Sequence, residues 1–266
     1  MYKKIYYILQ NHNPLRYIWG RLLLATGLGR NVIIYFENIK IRFHPSSMSF
    51  ALYLDKHFRI QENDLFCAIL CDGDICIDGG ANIGHLSLLM SRYVGIGGKV
   101  LSIEANPKVF KYLEENIILN SPLSIPIEAI CIALGEKQGL LHFDNATQDD
   151  MNHISTNNQG IPVIVDTLDN LSRNFSYIKL LKLDIEGYEV FALKGGLQTL
   201  KKTKYIYIEA SAYCLGRYGF TKNDLYNILY EQFEIFRIIG KNKQNIFVNN
   251  IEIGLSEDWF CINKYI

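Results

Sequence analysis

From Asp74 onward short apolar runs alternate with stretches of helical spacing, and this alternation restricts the fold more than any other feature of the chain. Ile75-Cys76-Ile77 reads as a buried strand. Ile83–Tyr93 follows with Leu86, Leu89, Met90 and Tyr93 on one helical face. Lys99–Glu104 is a second strand, after which Asn106-Pro107 opens a helix with Asn as N-cap and Pro at the first helical position. Further strands are expected at Ile127–Ala133, Tyr177–Asp184 and Tyr205–Glu209, with a helix at Val190–Leu200. Thr221-x-x-Asp224 opens another helix in capping-box style, and Phe233–Ile239 and Trp259–Ile262 close the chain as strands. Strand–helix alternation requires crossover connections. The expected fold is therefore α/β, a mostly parallel sheet with helices on both faces.

Residues 1–72 read differently and are expected to form an N-terminal accessory α/β region ahead of a main domain spanning 73–266. Residues 2–25 and 50–71 have helical spacing, and Val32–Phe36 with Ile39–Phe43 reads as a hairpin around Glu37-Asn38. The apolar stretch from Ile18 to Phe36 is interrupted by Arg21, Arg30 and Asn31, which makes it a poor membrane span. Packing within the protein is the favoured reading, with a membrane surface or a partner as the other. Ile5 to Leu9 is too short for a signal-peptide core, so a cytoplasmic protein is expected.

Composition narrows the function classes. With 49% hydrophobic and 20% charged residues in 266, the chain has material for a sizeable core, which excludes wholesale disorder. Lys+Arg and Asp+Glu are 27 each, a balance that argues against a chain built to grip nucleic acid or an anionic membrane. None of the six cysteines forms a Cys-x-x-Cys pair, so zinc ribbons and redox motifs are not expected, and neither is a metal site. Free thiols suit a reducing compartment.

The first strand meets the first helix through Asp78-Gly79-Gly80-Ala81-Asn82-Ile83-Gly84. In an open α/β sheet this junction lies at the carboxyl ends of the strands, where nucleotide-like ligands bind. The dinucleotide fingerprint fails: counting from Gly80, position 82 is Asn, and counting from Gly79 the match is partial. An acid at the mouth of the loop repels a pyrophosphate and suits a cation. S-adenosylmethionine (SAM) carries an ammonium and a sulfonium and no phosphate. Glu104 ends the second strand, 20 residues past Gly84, where a carboxylate accepts from both hydroxyls of a ribose. The expected SAM contacts are Asp78, Gly79, Gly80, Ala81, Asn82, Gly84, Glu104, Ala105, Asn106 and Ala133, the last small enough for adenine to approach.

Order and spacing add a resemblance. Asp78-Gly-Gly-Ala-Asn-Ile-Gly-His-Leu-Ser is followed by Glu104-Ala-Asn-Pro, Asn116-Ile-Ile-Leu-Asn120 and Ala133-Leu-Gly135. Then come Val165-Asp-Thr-Leu-Asp169, Leu181-Lys-Leu-Asp-Ile-Glu-Gly-Tyr-Glu189, Leu193-Lys-Gly-Gly196 and Tyr207-Ile-Glu209. Over roughly residues 74–210 the chain resembles the FkbM family of SAM-dependent methyltransferases. The resemblance implies a class I methyltransferase fold, Rossmann-like, and an O-methyltransferase whose acceptor is a hydroxyl of a sugar, a glycan or a secondary metabolite. A non-catalytic SAM-fold scaffold in a glycan assembly system is the alternative. An NAD-dependent sugar oxidoreductase is disfavoured by Asp78 and the failed fingerprint.

Methyl transfer to an alcohol needs the acceptor oxygen held in line with the C–S bond and a base for its proton. Lys182, Asp184 and Glu186 are spaced by two and share a side while the strand persists. Lys182 is expected to pair with Asp184 or Glu186. Glu209, at the end of the next strand, and His153, in the Asn-rich stretch 136–172, complete the catalytic candidates. That stretch is too long for an ordinary connection, and the loop near 145–160 is expected to border the site and choose the acceptor. Asn116 and Asn120 are expected to brace the neighbouring loops, and Tyr213, Tyr218 and Phe220 to offer faces for a sugar.

Overall fold

The structure is a computed structural model and describes residues 14–55, 57–121, 126–143, 154–155, 160–239, 242–245, 251 and 256–266. The chain opens with helix α1 (Pro14–Thr26), the hairpin β1 (Ile33–Phe36) and β2 (Ile39–Arg42), and helices α2 (Ser47–Leu54) and α3 (Ile60–Ile69). The hairpin turn places Glu37 and Asn38 at φ 43° and 64°, the left-handed geometry that a two-residue connection between twisted strands requires. The helix read at 50–71 is thus two helices, broken between Leu54 and Ile60.

The main sheet carries the alternation. Strands β3 (Ile75–Gly79), β4 (Lys99–Ile103) and β5 (Ile127–Ile130) are joined by α4 (His85–Val94) and α5 (Pro107–Asn120). The Asn106 side chain accepts from Lys108 N and Val109 N, so the expected cap is formed. Chain order continues with β6 (Ala133–Leu134), β7 (Gly139–Phe143), β8 (Ile161–Asp166), α6 (Leu168–Leu171) and β9 (Ile178–Leu183). After it come α7 (Glu189–Lys194), α8 (Leu197–Lys201), β10 (Thr203–Ser211), α9 (Ala212–Gly216) and α10 (Lys222–Leu229). Strands β11 (Phe233–Ile239), β12 (Asn242–Asn245) and β13 (Ser256–Asn263) end the chain. The eight-stranded order is β12-β11-β13-β10-β9-β3-β4-β5. Strands β5, β4, β3, β9 and β10 are mutually parallel, and β13 returns antiparallel against β10. This is the Rossmann-like architecture of class I methyltransferases, as expected.

Successive residues of the central strands serve two cores. Ile77, Leu101, Leu181 and Ile206 join the cluster under α7 and α10. Cys76, Val100, Leu180 and Tyr207 join the cluster under α4 and α5. Phe36, Ile39, Ile41, Leu52 and Phe66 belong to that second cluster, so the N-terminal segment shares a core with the sheet.

Three expectations are corrected. The strand read over Ile127–Ala133 ends at Ile130, and Ala133–Leu134 leaves to pair with β8 in a three-stranded sheet ordered β6-β8-β7. Both flanks of the stretch 136–172, at Gly139–Phe143 and Ile161–Asp166, are therefore sheet rather than loop. The helix read over Val190–Leu200 breaks at Gly195-Gly196, and position 195 must be glycine because a Cβ there would sit 2.1 Å from the Gly135 carbonyl oxygen. The second sheet approaches there backbone to backbone.

Candidate active site

The loop between β3 and α4 is fixed from three sides. Gly80, Asn82 and Gly84 take φ of 74°, 51° and 87°. At Gly80 a Cβ would lie 1.8 Å from the Asp184 carbonyl oxygen, so only glycine fits. Gly80 N and Ala81 N both donate to the Ile103 carbonyl at 2.9 Å, and Asn116 Nδ2 donates to the Ile83 carbonyl at 2.8 Å. Asn116 and Asn120 also accept from Arg42 N and Lys40 N, so they brace the loop and the hairpin together.

Beneath the loop lies an ion pair. Strands β3 and β9 are neighbours with Asp78 opposite Lys182. Lys182 Nζ stands 3.1 Å from Asp78 Oδ1 and donates to the carbonyls of Gly79 and Gly80 at 3.3 and 2.9 Å. Ser87 Oγ donates to Asp78 Oδ2 at 2.5 Å. Burial pulls the Lys182 pKa down, but the Asp78 and Asp184 carboxylates outweigh it and hold the pKa above its ordinary value. Two expectations change here. The cation that Asp78 meets is Lys182, not a ligand ammonium, and the partner of Lys182 is Asp78 rather than Asp184 or Glu186. The pair fixes the carbonyls of the loop.

Above the loop opens a cavity at the carboxyl ends of β3, β4, β9 and β10. Gly80, Asn82, Glu104, Ala105, Asn106 and Ala133 line it; Asp78, Gly79, Ala81 and Gly84 do not. Glu104 accepts from Asn106 N through Oε1 at 2.8 Å and from Asn82 N through Oε2 at 2.9 Å. A carboxylate has about four lone-pair sites, so two remain for a ligand. Burial raises the pKa of Glu104, against those two amides. Ile103, Val109, Ile132 and Leu134 give this end of the cavity an apolar wall.

The opposite end is acidic. Asp184, Glu186 and Glu209 all line it, together with Lys182. Strand β9 stops at Leu183 and Glu186 sits at φ 58°, so the spacing by two holds only as far as the strand. Cys214 Sγ donates to Glu186 Oε2 at 3.5 Å, and Arg217 donates to the Glu186 carbonyl at 3.0 Å. Ser256 Oγ donates to Glu209 Oε1 at 3.1 Å, while Glu209 Oε2 is buried with no hydrogen-bond partner among the described residues. Burial, then the charges of Asp184, Glu186 and Glu189, push the Glu209 pKa up to about 8. Glu189, which burial raises to about 7, accepts from Ile185 N and Gly187 N and shapes the turn. Ligand atoms of Glu186, Glu209 and Cys214 lie within 4.8 Å of one another, but burial pushes the Cys214 thiol up to about 12 and keeps it protonated. His153 lies outside the described residues, as does most of the loop near 145–160. At its edge, Ile154 lines the cavity and its carbonyl accepts from Tyr218 Oη at 2.7 Å.

Sequence reasoning missed the contribution of the N-terminal segment. Arg59, left-handed at φ 63°, projects from the start of α3 into the cavity. It pairs with Glu62 at 2.6 Å and faces Asp184 at 3.8 Å, and its Nε has no hydrogen-bond partner among the described residues. His85 lines the same end, with both ring nitrogens unpartnered among the described residues, and burial holds its pKa well below the ordinary value, so it is neutral. No signal in the sequence marks Arg59: it stands within residues of helical spacing, and its left-handed backbone appears only in the fold.

These groups match the parts of SAM. The apolar wall suits adenine, Glu104 suits the ribose diol, and the orphaned donors of Arg59 and His85 suit the carboxylate of an amino acid. The acidic end suits an ammonium and a sulfonium.

The model of the methyltransferase FkbM domain matches residues 78–231. No curated protein matches. Among solved structures, methyltransferase FkbM from Methylobacillus flagellatus is similar at 17% identity, over 92% of this chain and 59% of that one, with a TM-score of 0.46. The human methyltransferase 10 domain containing protein is similar at 11% identity, over 96% and 99%, with a TM-score of 0.49. A SAM-dependent O-methyltransferase from Thermotoga maritima is similar at 10% identity, over 88% and 86%, with a TM-score of 0.42. The domain match covers more than half of the sequence, and with it the loop, Glu104 and the acidic strand ends: the chain belongs to the FkbM family of SAM-dependent methyltransferases.

Proposed function

We propose that this enzyme transfers the methyl group to a hydroxyl oxygen of a sugar, a glycan or a secondary metabolite, with Glu209 as the base. The observation that carries the reading is the bare, buried Oε2 of Glu209 at the acidic end of the cavity, with its pKa pushed up to about 8. A carboxylate of ordinary pKa is a poor acceptor for an alcohol proton, and raising it makes it a better base near neutral pH. Asp184 and Glu186 add negative charge where positive charge must be held.

When bound, SAM supplies an electrophilic methyl on a sulfonium. Glu104 would hold the ribose hydroxyls, Arg59 and His85 the carboxylate, and Asp184 the ammonium. Glu209 would take the proton of the acceptor hydroxyl as its oxygen receives the methyl group. Tyr188 lines the cavity and meets Tyr218 edge-on at 5.0 Å, giving an aromatic wall for a sugar face. Zero net charge supports an acceptor other than nucleic acid. Six free cysteines support a cytoplasmic setting, and no helix among the described residues is long and apolar enough to cross a membrane. Residues 1–72 act as an accessory unit that completes the pocket through Ser47, Met48 and Arg59.

The test is to incubate polysaccharide, lipid and metabolite extracts with SAM labelled in its methyl group. Label recovered in an alkali-stable methyl ether supports the reading. Label only on nitrogen or sulfur contradicts it, and SAM binding without transfer to any fraction would favour the scaffold.

A further inference from the structure

Helix α1 is apolar on two sides, and among the described residues only one of them is packed. Gly20 is buried against Phe50, and Tyr17 meets the Phe50 ring edge-on at 5.5 Å, so this side packs on α2. The other side carries Leu15, Ile18, Trp19 and Leu22, which at 72%, 55%, 59% and 46% exposure form one bare stripe at helical spacing. At about 100° per residue, Arg16 and Arg21 fall on opposite flanks of that stripe. Neutrality of the whole chain conceals an asymmetry. Residues 1–36 hold Lys3, Lys4, Arg16, Arg21 and Arg30 and no acid, Glu37 being the first. The rest therefore carries five more acids than bases, since the total is zero.

We propose that α1 docks the protein on an anionic lipid surface, the stripe lying in the interface and Arg16 and Arg21 against the headgroups. An interfacial helix of this kind pairs an apolar face with flanking cations, and Trp favours the headgroup level. Each cation near an anionic surface adds to the attraction. A second copy is a poorer occupant. A two-fold contact through α1 would bring two wholly basic segments together.

Trp19 makes the test direct, because the chain has 2 tryptophans and the other, Trp259, is 0% exposed. The full chain is mixed with phosphatidylglycerol–phosphatidylcholine vesicles and with phosphatidylcholine vesicles alone. The expected result is a blue shift of tryptophan emission and co-sedimentation with the anionic vesicles, at least tenfold weaker with the neutral ones. The triple variant Leu15→Ser/Ile18→Ser/Leu22→Ser keeps Trp19 and should bind anionic vesicles at least tenfold less, with SAM affinity unchanged as the check on folding. No binding to anionic vesicles, or binding unchanged in the triple variant, overturns the proposal. Trp19 shielded from acrylamide in the lipid-free protein also overturns it: shielding that fades on dilution assigns the stripe to a second copy, and shielding at every concentration to another part of this chain.

Discussion

The two ends of the cavity are built on opposite plans. At the loop end almost every polar group has its partner inside the protein: Asp78 has Lys182 and Ser87, and Glu104 has two amides. At the acidic end Glu209 keeps an oxygen with no partner among the described residues, and burial, then the neighbouring carboxylates, raise its pKa to about 8. A ligand common to a whole family is best met by a surface that is already rigid, because little ordering is left to oppose binding. A group that must take a proton is best left unsatisfied until the substrate arrives. The difference assigns structure to one set of charges and chemistry to the other, although both read in the sequence as acids at strand ends.

The largest effect should come from breaking the satisfied end. Lys182→Met leaves the Asp78 charge buried without its partner, which costs about 3–5 kcal/mol. The urea midpoint should fall accordingly, whether or not SAM is present. A loss below about 1 kcal/mol would mean that the pair does not hold the loop.

Next comes the unsatisfied end. Glu209→Gln should lower turnover about 10²–10⁴-fold, as expected for loss of a general base. In the parent enzyme kcat/KM should rise with pH up to about 8, where Glu209 loses its proton. The variant should lack that limb. Near-normal turnover would pass the role to Glu186 or Asp184.

Arg59→Gln should weaken SAM about ten- to a hundredfold, the worth of a charged hydrogen bond. Decarboxylated SAM should bind both proteins alike, measured by calorimetry. Equal losses for the two ligands would place Arg59 elsewhere on the cofactor.

The smallest effect concerns stability. The folded-state pKa of Glu209 lies above its ordinary carboxyl value, so its contribution is fully present below about 4.5 and is lost as pH rises through about 8. Glu209→Gln should therefore raise Tm relative to the parent at pH 9, with the gain shrinking toward pH 5. A gain independent of pH would contradict the raised pKa.

How much of this was legible follows from which contacts are local. The strand–helix alternation, the Asn106 cap and the Thr221 capping box depend on near neighbours, and the sequence displayed them. The partner of Lys182 did not show, because it is set by the adjacency of β3 and β9, which are about a hundred residues apart along the chain. Strands β7 and β8 were hidden by the Asn-rich segment between them, which read with them as one loop. Arg59 was hidden for another reason: its left-handed turn splits what looked like a single helix, and only the fold brings it over Asp184.

The division between Glu104 as a cofactor-holding carboxylate and Glu209 as a reactive one is tested most directly by titrating SAM into Glu104→Gln and Glu209→Gln side by side, with no acceptor present. The account predicts a loss of at least tenfold for Glu104→Gln and affinity within about threefold of the parent for Glu209→Gln. Comparable losses in both, or the larger loss in Glu209→Gln, would contradict it.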